Sequence, residues 1–229
     1  MIKIVSFCFR LLCFVFLISQ FCYGQEKSAT QKIDPLRNLK SIVLGFGNYD
    51  ATYKNFPPVA ITDKDGKPLL SWRVALLPFL EEESLYKKFK LDETWDSPHN
   101  IKLAAKMPKV FFHPAKNKSG DNKTHYQVFY GNGAAFEMNK GYSMEQISNR
   151  DGLSNTLSVV EAEAPVLWTK PEDLPFDPKK NLPRLLTING KINVAFCDGS
   201  ARSLSASIKP ETLKLLIQMD DGKAIPPLD

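Results

Sequence analysis

Between Asp34-Pro35 and Pro57-Pro58 runs the segment that most limits what this chain can fold into. Leu36, Leu39, Ile42, Val43, Phe46, Tyr49 and Tyr53 recur at three- and four-residue steps, the spacing of one apolar face on a helix. Asp34 fits an N-cap and Pro35 the first helical position, while Pro57-Pro58 stops the run. A helix of about 20 residues is roughly 30 Å long, the span of a small domain. Everything downstream must therefore supply a surface that covers this stripe. Gly45 and Gly47 weaken the helix by about 1 kcal/mol each unless close packing requires them.

The remaining chain reads as short strands and short helices. Thr62 to Lys67 is a polar turn. Glu82 to Phe89 is expected to be helical, with Glu83 and Lys87 at a favourable i,i+4 spacing. Trp95-Asp96-Ser97-Pro98 opens a second short helix to about Met107. Val110-Phe111-Phe112 and Tyr126 to Tyr130 are rich in aromatic and β-branched residues and are expected to be strands. Ser143 and Gln146 have capping-box spacing. Asp151-Gly152 turns the chain into a strand over Thr156 to Glu161, followed by a long segment carrying Pro165, Pro171, Pro175, Pro178 and Pro183. Ile192 to Cys197 and Ser200 to Leu204 flank Asp198-Gly199, which predicts a two-residue type I′ hairpin. Pro210 opens a last amphipathic helix through Leu213, Leu216 and Ile217, ending near Asp220-Asp221-Gly222. Helix first and hairpins after imply an α+β domain, with one domain over residues 34–229.

The first 24 residues have a different character. Lys3 and Arg10 precede an almost unbroken apolar run from Leu11 to Phe21, and Gly24 gives a small residue before an abrupt polar turn at Gln25. Positive start, apolar middle and small residue describe a cleavable signal peptide over residues 1–24, with a polar tail over 25–33. The rival is an uncleaved anchor from Ile4 to Tyr23, which would leave Arg10 in the bilayer at a cost of about 3 kcal/mol. Membrane contact is expected only through this segment, if it is retained. Export to the periplasm, cell surface or medium is the expectation.

Cleavage would leave Cys197 as the remaining cysteine, since Cys8, Cys13 and Cys22 fall in the signal. The exported domain would then have no internal disulfide and would depend on packing. Cys197, in an apolar run, reads as a small buried hydrophobe. Setting aside Lys3 and Arg10, Lys plus Arg falls from 30 to 28 against 25 acids. That balance, with lysines spread along the chain, is no nucleic-acid footprint. Lys116, Lys118 and Lys123 form the densest group and fit a solvated loop. His99, His113 and His125 show no metal-ligand spacing, so neither metal nor cofactor is expected.

Two groups of residues are candidates for ligand contact. Trp168 with Glu172 and Asp173 combines an aromatic face with carboxylates, a pairing suited to carbohydrate; capping within the loop is the alternative use of the two acids. Asp151, Asn155 and Glu161 could gather around a cation or a sugar, or could satisfy turn and strand-end backbone groups. Ser154, in Asp-Gly-Leu-Ser-Asn-Thr, has no nucleophile-elbow pattern.

Several blocks, in order, resemble a planctomycete family of exported prepilin-like proteins, domain of unknown function 1559, which also carries a solute-binding-protein label. They are Asn38-Leu39-Lys40, Asn48-Tyr49, Phe56-Pro57-Pro58, Ser71-Trp72-Arg73, Leu76-Leu77-Pro78-Phe79, Asp151 to Thr156 with Glu161, Trp168 to Leu174, and Asn193 to Ser200 with its Asp-Gly tail. The resemblance implies a pilin-like fold, a long N-terminal helix packed on an antiparallel sheet with short extra helices. Two departures stand out: a conventional signal replaces the leader helix, and Ile188 stands where the family's His would precede the Asp-Gly tail. Resemblance to pseudopilins also raises calcium near Asp220 and Asp221. The expected function is a non-enzymatic structural or interaction domain with an unidentified protein or a cell-surface polysaccharide as partner. The alternative is an extracytoplasmic binding module for a carbohydrate or small solute.

Overall fold

The apolar stripe is buried along the first helix, α1 (Pro35–Tyr53), where Leu39, Ile42 and Phe46 are closed to solvent. A computed structural model describes residues 35–228. The expected signal, the polar tail and the Asp34 cap lie outside the described residues. The Phe46 ring sits 5.1 Å from that of Trp72 and 5.3 Å from that of Phe136, centroid to centroid. Gly45 has a packing reason: a Cβ there would stand 3.1 Å from Leu80 Cδ2 and 3.3 Å from Leu76 Cδ2. α1 stops three residues before Phe56-Pro57, because Lys54 turns left-handed at φ 62° while its N–H still bonds to Asp50 O at 2.7 Å. That turn frees Phe56 to enter the core, where it is fully buried.

The main sheet is antiparallel, in the order β3 (Lys123–Gln127), β5 (Leu157–Leu167), β8 (Lys191–Phe196), β7 (Thr187–Ile188), with β9 (Ala201–Ser205) also paired to β8. Lys191 pairs with Ile188 in β7 and with Ser205 in β9, so β8 is bonded along both edges. It is covered on both faces too. Ala195 and Cys197 join the cluster under α1, while Val194 and Phe196 join a second cluster with Leu213, Leu216 and Ile217 of α5 (Pro210–Ile217). Two-sided burial is why the 192–197 run shows no polar alternation. A small hairpin of β1 (Ala60–Thr62) and β2 (Pro68–Ser71) lies ahead of the sheet. Three short helices, α2 (Trp72–Ala75), α3 (Glu83–Tyr86) and α4 (Met144–Ser148), complete an α+β domain, together with a parallel pair between β4 (Phe129–Tyr130) and β6 (Leu174–Pro175).

Local chemistry explains most of these elements. Asp63 Oδ1 accepts the N–H groups of Asp65 and Lys67 and so makes the 62–67 turn. Both arms of the capping box form, Gln146 N–H to Ser143 Oγ and Ser143 N–H to Gln146 Oε1. Glu83 and Lys87 pair at 2.8 Å, although their helix has only one turn. The segment after Trp95 is a 3-10 helix over Asn100–Lys106, with Ser97 Oγ accepting the Asn100 N–H.

Four expectations are corrected. Val110-Phe111-Phe112 is not a strand: Lys109–Phe111 is a 3-10 turn between Pro108 and Pro114, and it drives Phe111 into the core. The strand expected over Tyr126 to Tyr130 is broken at Val128, whose N–H goes to the Asp173 carboxylate at 2.9 Å instead of to a neighbouring strand. β5 continues to Leu167, so Pro165 sits on a strand, at an exposed position. At Asp198-Gly199 only Gly199 has positive φ (88°), and the Gly199 N–H bonds back to Phe196 O. That is a three-residue turn with a glycine bulge, not type I′. The two-residue hairpin with both central φ positive is at Asn189 (51°) and Gly190 (71°), joining β7 to β8.

Candidate functional site

Arg73 stands in an apolar run from Leu69 to Leu80, and the fold buries it completely. Its guanidinium meets Asp173 at 2.8 Å, with both side chains closed to solvent. A charge in such surroundings survives only with its hydrogen bonds filled. Arg73 Nε and Nη2 donate to Tyr126 O at 3.0 and 2.7 Å, and Nη1 donates to Ser71 Oγ at 2.7 Å. Asp173 also accepts the Trp72 indole N–H at 3.1 Å and the Val128 N–H. Burial pushes the Asp173 carboxyl up, opposed by Arg73, the Val128 N–H and the Trp72 indole. The pair ties α2, the β3–β4 break and the proline-rich segment together.

The tryptophans are engaged inside the fold. Trp168 is fully buried, donates its indole N–H to Ala104 O at 2.8 Å and stacks on Phe111 at 6.0 Å. It offers no ring face to a ligand, and Asp173 beside it in sequence faces Arg73. Glu172 is exposed and pairs with Lys170 at 2.6 Å. Lys170 in turn lies over the half-buried Trp95 ring, 5.4 Å from its centroid. The expected Trp168–Glu172–Asp173 grouping is therefore divided between interior and surface.

Asp151 and Asn155 do share a turn. Asn155 Nδ2 donates to Asp151 O, and the Asp151 carboxylate accepts the N–H groups of Asp221 and Gly222 at 2.9 and 3.0 Å. Asp151 thus ties the Asp221-Gly222 backbone to the turn ahead of β5, and Asn155 braces that turn. Asp220 faces Arg150 at 3.5 Å. Among the described residues no group of three or more His, Cys, Asp or Glu is placed to hold a metal ion.

Glu161 belongs elsewhere, in a cluster that sequence spacing did not show. His113 Nε2 lies 3.3 Å from Glu161 Oε1 with exposures of 0% and 1%, and the rings of His113 and His125 are 5.5 Å apart. Glu161 Oε2 accepts from Asn193 Nδ2, whose Oδ1 accepts from Ser203 Oγ. His125 Nδ1 meets Ala162 O at 2.8 Å. Burial pulls the His125 imidazole below its ordinary range; the Ala162 carbonyl opposes this and His113 adds to it. The available signal was a lone Glu in the apolar strand run from Leu157 to Ala162. His99, by contrast, meets Lys88 O at 2.8 Å.

An open groove of about 500 Å³ lies on the α5 side of the sheet. Its buried floor includes Ile192 and Leu213, and Glu163, Arg184 and Glu211 are exposed around it. None of the residues expected to bind a ligand lines it.

The sequence profile of a family described as "Protein of unknown function (DUF1559)" matches residues 36–182, well over half of the chain. The chain belongs to this family. The match takes in Arg73, His113, Glu161 and Asp173, and it ends before β7, β8 and β9. No curated protein and no solved structure matches the chain. For this DUF1559 member the buried polar groups are thus inside the family's matched region, while the central strand of the sheet lies outside it.

Proposed function

We propose that this DUF1559 member is an exported, non-catalytic interaction domain of pilin-like build, working in the periplasm or at the cell surface with a protein or polysaccharide partner. The observation that carries the non-catalytic part is the burial of His113 and Glu161 at 0% and 1% exposure. General acid–base work needs the group within about 3 Å of a substrate atom. This pair meets no substrate without the core opening. Arg73 and Asp173 are sealed in the same way and fully used in holding segments together. Export is supported by the charged start, apolar run and small residue of the first 24 residues. The pilin-like part is supported by α1 lying against an antiparallel sheet.

Cell fractionation followed by intact mass of the recovered protein tests the reading. The expected species is extracytoplasmic and begins at Gln25. One beginning earlier rejects cleavage, and confinement to the cytoplasm rejects export.

The groove beside α5 supports a second reading, an extracytoplasmic binding module for a small solute or carbohydrate. Its apolar floor and few charged groups have the general make-up of a ligand site. Leu213→Glu, at the floor, should abolish binding of such a ligand if the groove holds it.

A further inference from the structure

The far end of α1 carries a group of rings at the margin of the core, which buries them only in part. Tyr49 and Tyr53 stand one turn apart with centroids 4.5 Å from each other, and Phe79 packs edge-on against both at 5.3 and 6.0 Å. Tyr53 is 56% exposed, while Tyr49, Phe79 and Tyr86 are half-buried. Tyr86 belongs to α3, which packs against the Leu77–Leu80 turn that carries Phe79; its phenol is pushed up by burial and then by Tyr53, and Tyr49 is pushed up to about 12 by burial and then by Tyr53 and Tyr86. Among the described residues none of the three hydroxyls has a hydrogen-bond partner.

We propose that this surface, formed by Tyr49, Tyr53, Phe79 and Tyr86, binds a neutral polysaccharide. The inference rests on the export reading, because such a polymer is met outside the cytoplasm. Three features select the partner. Phe79, edge-on to both Tyr49 and Tyr53, braces their apolar faces, and the phenols beside them both donate and accept hydrogen bonds, which suits the alternating C–H and O–H surfaces of a sugar. Charges beside these rings in sequence are mixed and nearly balanced, Asp50, Glu81, Glu82 and Glu83 against Lys54, Lys87 and Lys88, with Glu83 paired to Lys87. A polyanion or polycation gains nothing from a surface so balanced. The patch is also narrow: four rings half-open to solvent offer roughly 300–500 Å². A stable protein interface needs about 800 Å² per partner. A linear chain of sugars needs only a strip.

The test is co-sedimentation of the exported protein with insoluble cellulose, curdlan and mannan, with dextran sulfate beads as the polyanion. Retention by at least one neutral polymer is expected. Tyr53→Ala and Tyr86→Ala should each weaken it by about tenfold or more, the loss typical of a hot-spot tyrosine. Tyr53→Phe, which keeps the ring and removes the hydroxyl, should fall between parent and Tyr53→Ala. Ile101→Ala, at another exposed apolar position, should bind as the parent does. Tryptophan fluorescence of each variant checks folding, and bound polymer should shift the alkaline phenolate titration read at 295 nm. Retention by none of the three neutral polymers, retention by dextran sulfate alone, or a Tyr53→Ala protein that binds like the parent overturns the proposal. An extracytoplasmic chain that ignores all three polymers removes this surface and leaves export standing; a cytoplasmic chain removes both.

Discussion

Replacing Asp173 by Leu leaves the Arg73 guanidinium buried with its counter-charge gone. Two hydrogen bonds from Arg73 and those from the Trp72 indole and the Val128 N–H are lost with it. Breaking one side of a buried ion pair costs about 3–5 kcal/mol. Each stranded donor adds roughly 1–3 kcal/mol, partly shared with that figure. We therefore expect Asp173→Leu to lose at least about 4 kcal/mol, a large part of a domain's usual 5–15 kcal/mol. The double variant Arg73→Met, Asp173→Leu removes both charges and should regain about 2 kcal/mol or more of that loss. It will not regain all, because Tyr126 O loses two donors and Trp72 and Val128 keep unpaired N–H groups. Urea unfolding followed by tryptophan fluorescence reports on the same region, since Trp72 and Trp168 are buried in it. At a slope of roughly 2 kcal/mol per molar, the single variant should move the midpoint down by about 2 M. A single-variant shift below about 0.5 M, or a double variant no more stable than the single, would refute the ion-pair reasoning.

Other expectations follow from the same contacts. With the folded His125 imidazole held below its ordinary 6.5, the unfolded chain binds the proton more readily. The contribution of this group to stability is then fully present above about pH 6.5 and lost as pH falls through the folded value, so melting temperature should drop on acidification and drop less in His125→Gln. Two glycines of α1 should respond differently to alanine. Gly47 has only Met144 Sδ at 4.0 Å in its way and should gain about 0.5–1 kcal/mol, whereas Gly45→Ala must displace Leu80 and should gain nothing or lose stability; thermal melts separate the two. Gly141→Ala would bring a Cβ to 2.2 Å from Phe56 O, and a loss of about 2 kcal/mol or more is expected in the same assay. Cys197 is buried and its thiol pushed up by burial, so a thiol reagent should label it only as fast as the protein opens.

Elements set by local chemistry were legible in sequence. The α1 stripe, the capping box, the Asp63 turn and the last helix each depend on residues a few positions apart. Elements set by distant partners were not. Val128 leaves the sheet because of a carboxylate 45 residues away, and Val110 to Phe112 coil because Phe111 must reach Trp168. Asn189-Gly190 carried as good a hairpin signal, yet it follows a proline-punctuated stretch that reads as loop, while Asp198-Gly199 sits between two obvious strands. For the candidate residues, polarity marked position and not exposure. Asp173 and Glu161 are acids that the fold buries with partners contributed by Arg73 and His113, and no spacing rule joins 73 to 173 or 113 to 161. The readable signs were Arg73 in the run from Leu69 to Leu80 and Glu161 in the run from Leu157 to Ala162, each a lone charge among mostly apolar residues.

The double-edged position of β8 has a consequence for how the chain comes to be folded. Synthesis and any passage through a membrane deliver residues in order, and β8 lies within the last 40 of 229. Until it arrives, β5 lacks one neighbour, α1 lacks Ala195 and Cys197 beneath it, and α5 does not yet exist. The second hydrophobic cluster draws on Ile192, Val194, Phe196 and α5 and cannot close before β8 arrives, whereas most of the first lies between Leu39 and Trp168 and can gather earlier. A nascent or partly delivered molecule can thus pair β3 with β5 and gather most of the core under α1, yet its second face stays open until the central strand is in hand.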